Sequence, residues 1–253
     1  MVSWLQLIVL SIIQGVAEWF PVSSSGHLAI FQKIFGFENL SFDVFLHLAS
    51  IIAVIILFRK EIARIFYLKD RKNLRDLLLI ILGIIPAGIL GFLFKKQIAG
   101  FFSSLMYIGI FFILSGILVY STRFSKEKKE TLNWLDSLFI GIFQAIAIVP
   151  GISRSGATIS SGMFRGLKKE AAVKFSFLLA IPIVLGAALL EIRDLSFLGI
   201  DYPMLIISFI ITFVTSLMTI KYLLKIVKSD KFYLFGIYNF ILGVLVLLWG
   251  FVR

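Results

Sequence analysis

The chain has 253 residues, 60% hydrophobic and only 15% charged, with a mean hydropathy of +1.02. Water-soluble domains carry about a quarter charged residues, so a soluble single-domain enzyme is excluded. The absence of cysteine removes disulfides and thiolate chemistry, and the net charge of +11 reads as basic loops of a membrane protein, not as a nucleic-acid partner. A zinc site would have to be built from carboxylates and the two histidines.

The first apolar stretch runs from Val2 to Phe35 and breaks at Pro21-Val22-Ser23-Ser24-Ser25-Gly26. Its start lacks a basic leader and a small-residue cleavage site, so it does not read as a cleaved signal peptide. Full membrane spans of about 20 apolar residues are expected near Phe42–Phe58, Leu77–Phe94 and Leu105–Ser121. A second interrupted stretch, Trp134 to Phe164, breaks at Pro150-Gly151-Ile152-Ser153-Arg154-Ser155-Gly156. Three more spans follow near Ala171–Ile192, Pro203–Leu223 and Phe232–Val252. Non-helical backbone at membrane depth is tolerated only where it is buried or lines a wet cavity. Both interrupted stretches are therefore expected to be re-entrant helical hairpins that meet at a polar break.

Basic residues mark four loops: Arg59 to Asp76, Arg123 to Lys129, Arg165 to Lys174, and Lys221 to Lys231. The positive-inside rule makes these cytoplasmic, and topology, not lipid or nucleic-acid recognition, is their expected role. The other turns hold only Lys95-Lys96 and Arg193. With six spans the assignment alternates and puts both termini outside. The first hairpin then opens from outside and the second from the cytoplasm.

The two hairpins align without a gap at an offset of 130: Gln14 with Gln144, Ala17 with Ala147, Ser23 with Ser153, Ser25 with Ser155, Gly26 with Gly156. Each is followed by three spans, an odd number, so the second copy is inverted. The expected architecture is an all-α integral membrane bundle, one domain over 1–253. It comprises six transmembrane helices plus two re-entrant hairpins, with inverted repeats at about 1–121 and 131–253. Such repeats often place a site near the bilayer midplane.

Ionisable residues inside a bilayer are costly and functional by default. Gln14 and Glu18, four residues apart, share a helix face just before the first break, and Ser23, Ser24, Ser25 and His27 follow it. The second break sets Arg154 between Ser153 and Ser155, with Thr158 four residues on. Arginine presents a fork of donors that suits phosphate oxygens. Helix starts after Gly26 and Gly156 offer free amides and a positive dipole end. Together they form an expected phosphate or diphosphate cradle. His27 is placed to move a proton, a serine beside a base to act as nucleophile, and Glu18 to bind a divalent cation or orient His27. The plainer readings are hydrogen-bond glue for Gln14 and Glu18, and close packing for the serines. His47 is expected to brace the hairpin and not to act directly. The 27 phenylalanines are packing and lipid-facing residues.

Gln14-Gly15-Val16-Ala17-Glu18-Trp19-Phe20-Pro21-Val22-Ser23-Ser24-Ser25-Gly26-His27-Leu28 resembles the first signature of the undecaprenyl-diphosphatase family, the bacitracin-resistance proteins. Pro150-Gly151-Ile152-Ser153-Arg154-Ser155-Gly156-Ala157-Thr158 resembles its second, and Phe42-Asp43-Val44-Phe45-Leu46-His47-Leu48-Ala49-Ser50 a less diagnostic region between them. Two long motifs in order are a strong signal. The resemblance implies a membrane phosphatase that converts undecaprenyl diphosphate to undecaprenyl phosphate and inorganic phosphate, recycling the lipid carrier for cell-wall synthesis. It implies the bacterial plasma (inner) membrane, a site open to the extracytoplasmic side, stimulation by magnesium or calcium, and bacitracin acting by binding the substrate; a homodimer stays open.

Carried over, Glu18, Ser24, His27 and Arg154 are the expected catalytic group, and Gln14, Ser23, Ser25, Gly26, Ser153, Ser155, Gly156 and Thr158 the substrate-binding group. Many members have Glu where this chain has Gln14, though the family allows both, so a metal clamp here would be one carboxylate, Glu18, plus an amide oxygen, and would bind more weakly than two carboxylates. Ser24 is one nucleophile and His27, through a phosphohistidine, the other. A transporter or flippase of a lipid phosphate is the alternative from a different class, because inverted repeats with broken helices are a transporter design. A purely structural subunit is a poor fit to Glu18 and Arg154 in the slab.

Overall fold

The computed structural model describes residues 3–67, 70–191, 197 and 199–252. Val2, Lys69, Ile192 and Arg193, used above, lie outside them. The described chain is helical: α1 (Trp4–Ala17), α2 (Ser24–Phe35), α3 (Leu40–Leu57), α4 (Arg59–Phe66), α5 (Arg71–Leu93), α6 (Lys95–Phe102), α7 (Leu105–Tyr120), α8 (Trp134–Ile146), α9 (Arg154–Phe164), α10 (Lys169–Glu191), α11 (Tyr202–Lys228) and α12 (Leu234–Val252), with a 3-10 turn at Ser121–Phe124. The six long apolar helices α3, α5, α7, α10, α11 and α12 are long and apolar enough to cross a membrane, and each coincides with an expected span. The spans exceed the apolar runs where charged residues continue the helix, as at Arg71 in α5 and Lys228 in α11. Two short helices, α4 and α6, stand where only loops were expected. Each is amphipathic and carries lysine or arginine, too polar for a hydropathy count to register.

The four interrupted-stretch helices start on side-chain caps. Ser3 and Gln6 form a reciprocal capping box on α1, and Asn133 and Asp136 form the same box on α8. Ser23 and Ser153 cap α2 and α9.

Packing crosses between the halves. α1 lies on α11, where a Cβ on Gly15 would stand 2.7 Å from Thr212 O. α8 lies on α5, where a Cβ on Gly141 would stand 2.6 Å from Gly83 O. There Gln144 Nε2 donates to Gly83 O at 3.3 Å. α7 and α12 form the tightest seam. Gly116 faces Gly236 and Gly109 faces Gly243, so the helices run antiparallel with glycines two turns apart on each. A Cβ on Gly116 would meet Phe240 N at 2.7 Å and Gly236 O at 2.8 Å. In lipid, where apolar burial no longer drives helices together, such close backbone contact supplies the attraction.

The four basic segments gather at one end. Lys129 and Arg165 grip the buried carboxylate of Asp136 at 2.6 and 2.8 Å, Lys174 pairs with Glu61 at 3.2 Å, and Lys169 pairs with Asp230. At the other end Lys95 pairs with Glu191 at 2.6 Å, and Lys33 Nζ donates to Ser103 O.

Gly116→Leu should lower the thermal midpoint in detergent by the equivalent of about 1–3 kcal/mol, the usual cost of overpacking. Gly88→Leu should not, because a Cβ at Gly88 meets nothing within 4 Å.

Candidate active site

The two breaks are locked together. Ser23 Oγ accepts from Gly26 N at 3.3 Å and also from Gly151 N of the other break at 3.1 Å. Ser155 Oγ donates to Phe20 O at 2.9 Å. A Cβ on Gly26 would stand 3.0 Å from Gly151 Cα, and one on Gly156 3.2 Å from Pro21 Cβ, so bare glycine backbone allows the approach. The α7–α12 seam supports both breaks: Ser153 N donates to Ser115 Oγ at 3.2 Å and Asn239 Nδ2 to Pro21 O at 2.6 Å. Ser23 sits at φ 64, ψ 92. Such backbone costs a non-glycine residue about 1–3 kcal/mol and persists only where its surroundings over-determine it. Here its hydroxyl accepts two amides and its carbonyl accepts from His27 Nδ1 at 2.8 Å.

Glu18, at the end of α1, is the hub. Its Oε1 accepts from Arg154 Nη2 at 2.5 Å. Its Oε2 accepts from Ser24 Oγ at 2.6 Å and Gln14 Nε2 at 3.2 Å, and lies 3.4 Å from His47 Nε2. His47 Nδ1 lies 2.8 Å from Asp43 O. Both ring nitrogens of His47 thus face oxygen atoms, one of the carboxylate and one of the backbone. The Arg154 guanidinium also lies 5.5 Å over the Trp19 ring and reaches Ser176 O at 3.5 Å. The Glu18 side chain is 6% exposed, Arg154 14% and His47 26%, so the carboxylate is walled by protein while Ser24, His47 and Arg154 are partly exposed.

A family model, "Bacitracin resistance protein BacA", matches residues 7–245 of this chain. The chain belongs to the BacA family. It is similar to proteins named undecaprenyl-diphosphatase from Halothermothrix orenii, 37% identical over 96% of both chains. Those from Carboxydothermus hydrogenoformans (39%, covering 96% of this chain and 95% of the relative) and Methanococcus vannielii (39%, 95% and 98%) are similar also. Family and helices together make it a multi-pass membrane protein.

In this BacA chain the residues read from the sequence divide into two groups. Gln14, Glu18, Ser24 and Arg154 converge on one point. Ser23 and Ser155 spend their hydroxyls on joining the breaks, Ser153 spends its own on capping α9 and meeting Ser155, and Gly26 and Gly156 supply the close approach. Ser25 Oγ lies 3.5 Å from Ser23 Oγ. Thr158 is buried, bonded to Ser176 Oγ at 2.6 Å and to Arg154 O at 2.8 Å, which braces the turn that carries the guanidinium.

His27 departs from the expectation that Glu18 orients it. Its Nε2 meets Tyr238 Oη at 2.7 Å, and its ring stacks on Tyr238 and sits edge-on to Phe112. Ser24 and His27 are three residues apart on α2, and the α7–α12 side of that helix takes the imidazole while Ser24 turns back to α1. His47, expected only as a brace, is the histidine that reaches Glu18. Trp19, Ser176 and Tyr238 also belong to the neighbourhood. A tryptophan beside the motif acid was the one readable signal; the other two come from contacts across the chain.

A resident divalent cation does not fit these residues. Calcium takes six to eight oxygens and magnesium about six. Both oxygens of Glu18 already accept from protein donors, and a guanidinium occupies one flank. The buried Gln14 Oε1 is the one acceptor here without a partner, and no group of three His, Asp or Glu stands together among the described residues.

Removing one partner of a buried charge pair costs about 3–5 kcal/mol because the other is left uncompensated. Glu18→Gln and Arg154→Gln should each lower the melting midpoint. The double variant should melt no lower than the weaker single; strictly additive losses would show the two charges to be uncoupled.

Proposed function

We propose that this chain hydrolyses undecaprenyl diphosphate, or a close polyprenyl diphosphate, to the monophosphate and inorganic phosphate, and so recycles the lipid carrier of cell-wall synthesis. The observation that carries the reading is the Ser24 hydroxyl 2.6 Å from a carboxylate whose other oxygen holds Arg154. The names of its relatives agree with it.

In this reading Ser24 Oγ attacks the terminal phosphorus, and its proton passes to Glu18. The bond from that phosphorus to the bridging oxygen breaks, the polyprenyl monophosphate leaves with its electron pair, and water then cleaves the phosphoserine. Arg154 exchanges part of its bond to Glu18 for the phosphoryl oxygens, where charge builds in the transition state. His47 supports the hub from the side opposite Arg154. The geometry favours Ser24 over His27 as nucleophile, since both His27 ring nitrogens are engaged and the residue is 7% exposed. Magnesium or calcium enters this reading as the counter-ion of the substrate diphosphate, because no protein ligand set awaits it.

An extracytoplasmic opening, in the plasma membrane, is the side we assign. His47 stands seven residues from the Leu40 end of α3 and twelve from Arg59, roughly 10 and 18 Å at 1.5 Å per residue. The site is thus nearer the end poor in basic residues. We further read the chain as one domain of two inverted repeats, about 1–121 and 131–253. In support, α5 begins at Arg71 and α11 at Tyr202, α2 at Ser24 and α9 at Arg154, close to the offset of 130. The pairing of α1 with α11 against α8 with α5 exchanges the halves. A carrier of lipid phosphates is the less favoured reading, since carriage requires no hydroxyl set against a carboxylate.

Purified protein given a C55 diphosphate should release phosphate, and Ser24→Ala and Arg154→Ala should each lose on the order of a thousand-fold or more. No release by folded wild type, with or without magnesium or calcium, would overturn the phosphatase reading. Rapid acid quench with substrate labelled at the terminal phosphate should trap an acid-stable label on the peptide holding Ser24. An acid-labile, base-stable label would move the nucleophile to a histidine.

A further inference from the structure

At the basic end of the bundle a cleft of about 650 Å³ opens between the segment after α7 and the end of α9, walled by Phe124, Lys126, Lys128, Phe164 and Arg165. It lies about 16 Å along α9 from Arg154, at 1.5 Å per residue, and shares no residue with the catalytic hub. Its wall is fixed. Lys128 N and Lys129 N donate to Gly166 O at 2.8 and 3.0 Å, and Lys168 N donates to Lys129 O at 2.9 Å. Gly166 holds φ +79 there.

The acids around the cleft are already committed. Asp136 takes Lys129 and the Nε of Arg165, Glu127 and Asp230 take Lys169, and Glu130 takes Lys168. That last bond holds the Glu130 carboxyl below the usual carboxylate range. Lys126 and Lys128 have no acidic partner among the described residues, and the terminal nitrogens of Arg165 make no hydrogen bond among them. Two unpaired lysines and the outer edge of a paired arginine therefore line one cavity whose lining holds no carboxylate. The rim is apolar: Phe124 is 75% exposed, and Ile117, Leu114 and Ile110 run down the lipid face of α7 from the mouth of the cleft, at helical spacing. Cations over a cavity and an apolar track leading away from it match an anionic head group with acyl chains better than a soluble anion.

We propose that this cleft binds the phosphate head group of an anionic phospholipid of the leaflet at the basic end, with its chains along α7. The proposal is independent of the catalytic reading.

The test uses full-length protein in detergent, with native mass spectrometry of bound dioctanoyl phosphatidylglycerol against dioctanoyl phosphatidylcholine. The variant is Lys126→Gln/Lys128→Gln, whose side chains are exposed and outside the core. Wild type should retain phosphatidylglycerol preferentially. The double variant should bind it about thirty-fold more weakly, at about a tenfold per 1.4 kcal/mol and about 1 kcal/mol per cation. Its melting midpoint in lipid-free detergent should be unchanged. Equal binding by the two proteins, or no preference for phosphatidylglycerol in the wild type, overturns the site. Displacement of the lipid by equimolar glycerol 3-phosphate overturns the lipid assignment in favour of a soluble anion. A variant that melts lower is replaced by Lys128→Gln alone, for which a loss of roughly five-fold is expected and an unchanged affinity overturns the proposal.

Discussion

Glu18 and Arg154 lie 136 residues apart, and each is tolerable inside an apolar bundle only because the other is there. This contact sets the rest of the geometry. To make it, two helical stretches must stop at the same depth, and their ends must face each other. Each end must also find partners for backbone groups that a continuous helix would have satisfied internally. Serine hydroxyls and the amides of the opposite break meet that need, and glycines remove the side chains that would hold the breaks apart.

The six long helices are then a frame for that junction. The α7–α12 seam provides a floor on which Ser115 and Asn239 anchor both breaks. Trp19 fills the space between Arg154 and Phe177, edge-on to the latter at 4.9 Å, so the guanidinium sits against an aromatic face on one flank and a carboxylate on another. A cation held in this way is fixed in orientation.

Much of this is legible in the sequence alone. Twenty-residue apolar runs are unambiguous, so all six spans were readable. Proline and glycine beside polar residues in apolar surroundings marked both breaks, and the offset of 130 linked them. Glu18 and Arg154 were readable as functional because a charge in lipid is costly, and Gln14 and Ser24 because they flank the first break, but the ion pair that joins the breaks was not. What escaped was the division of labour. Proximity in sequence suggested that Glu18 orients His27, yet three residues on a helix are enough to turn a ring toward Tyr238. His47 comes from α3, and only the way α3 lies beside α1 brings it to the carboxylate. Ser23, Ser153 and Ser155 looked equivalent to Ser24, because a serine that fastens backbone and a serine that meets a carboxylate are the same residue type.

The exchange of partners between halves has a bearing on how the molecule is made. α1 waits for α11, about 200 residues later, before its packing surface is covered. At about 5–20 residues per second, that interval is about 10–40 s of synthesis. During much of it Glu18 is in or beside the membrane while Arg154 is still on the ribosome or in transit. Until then the carboxylate lacks its guanidinium partner, and the packing of the first half is completed only by contacts from the second.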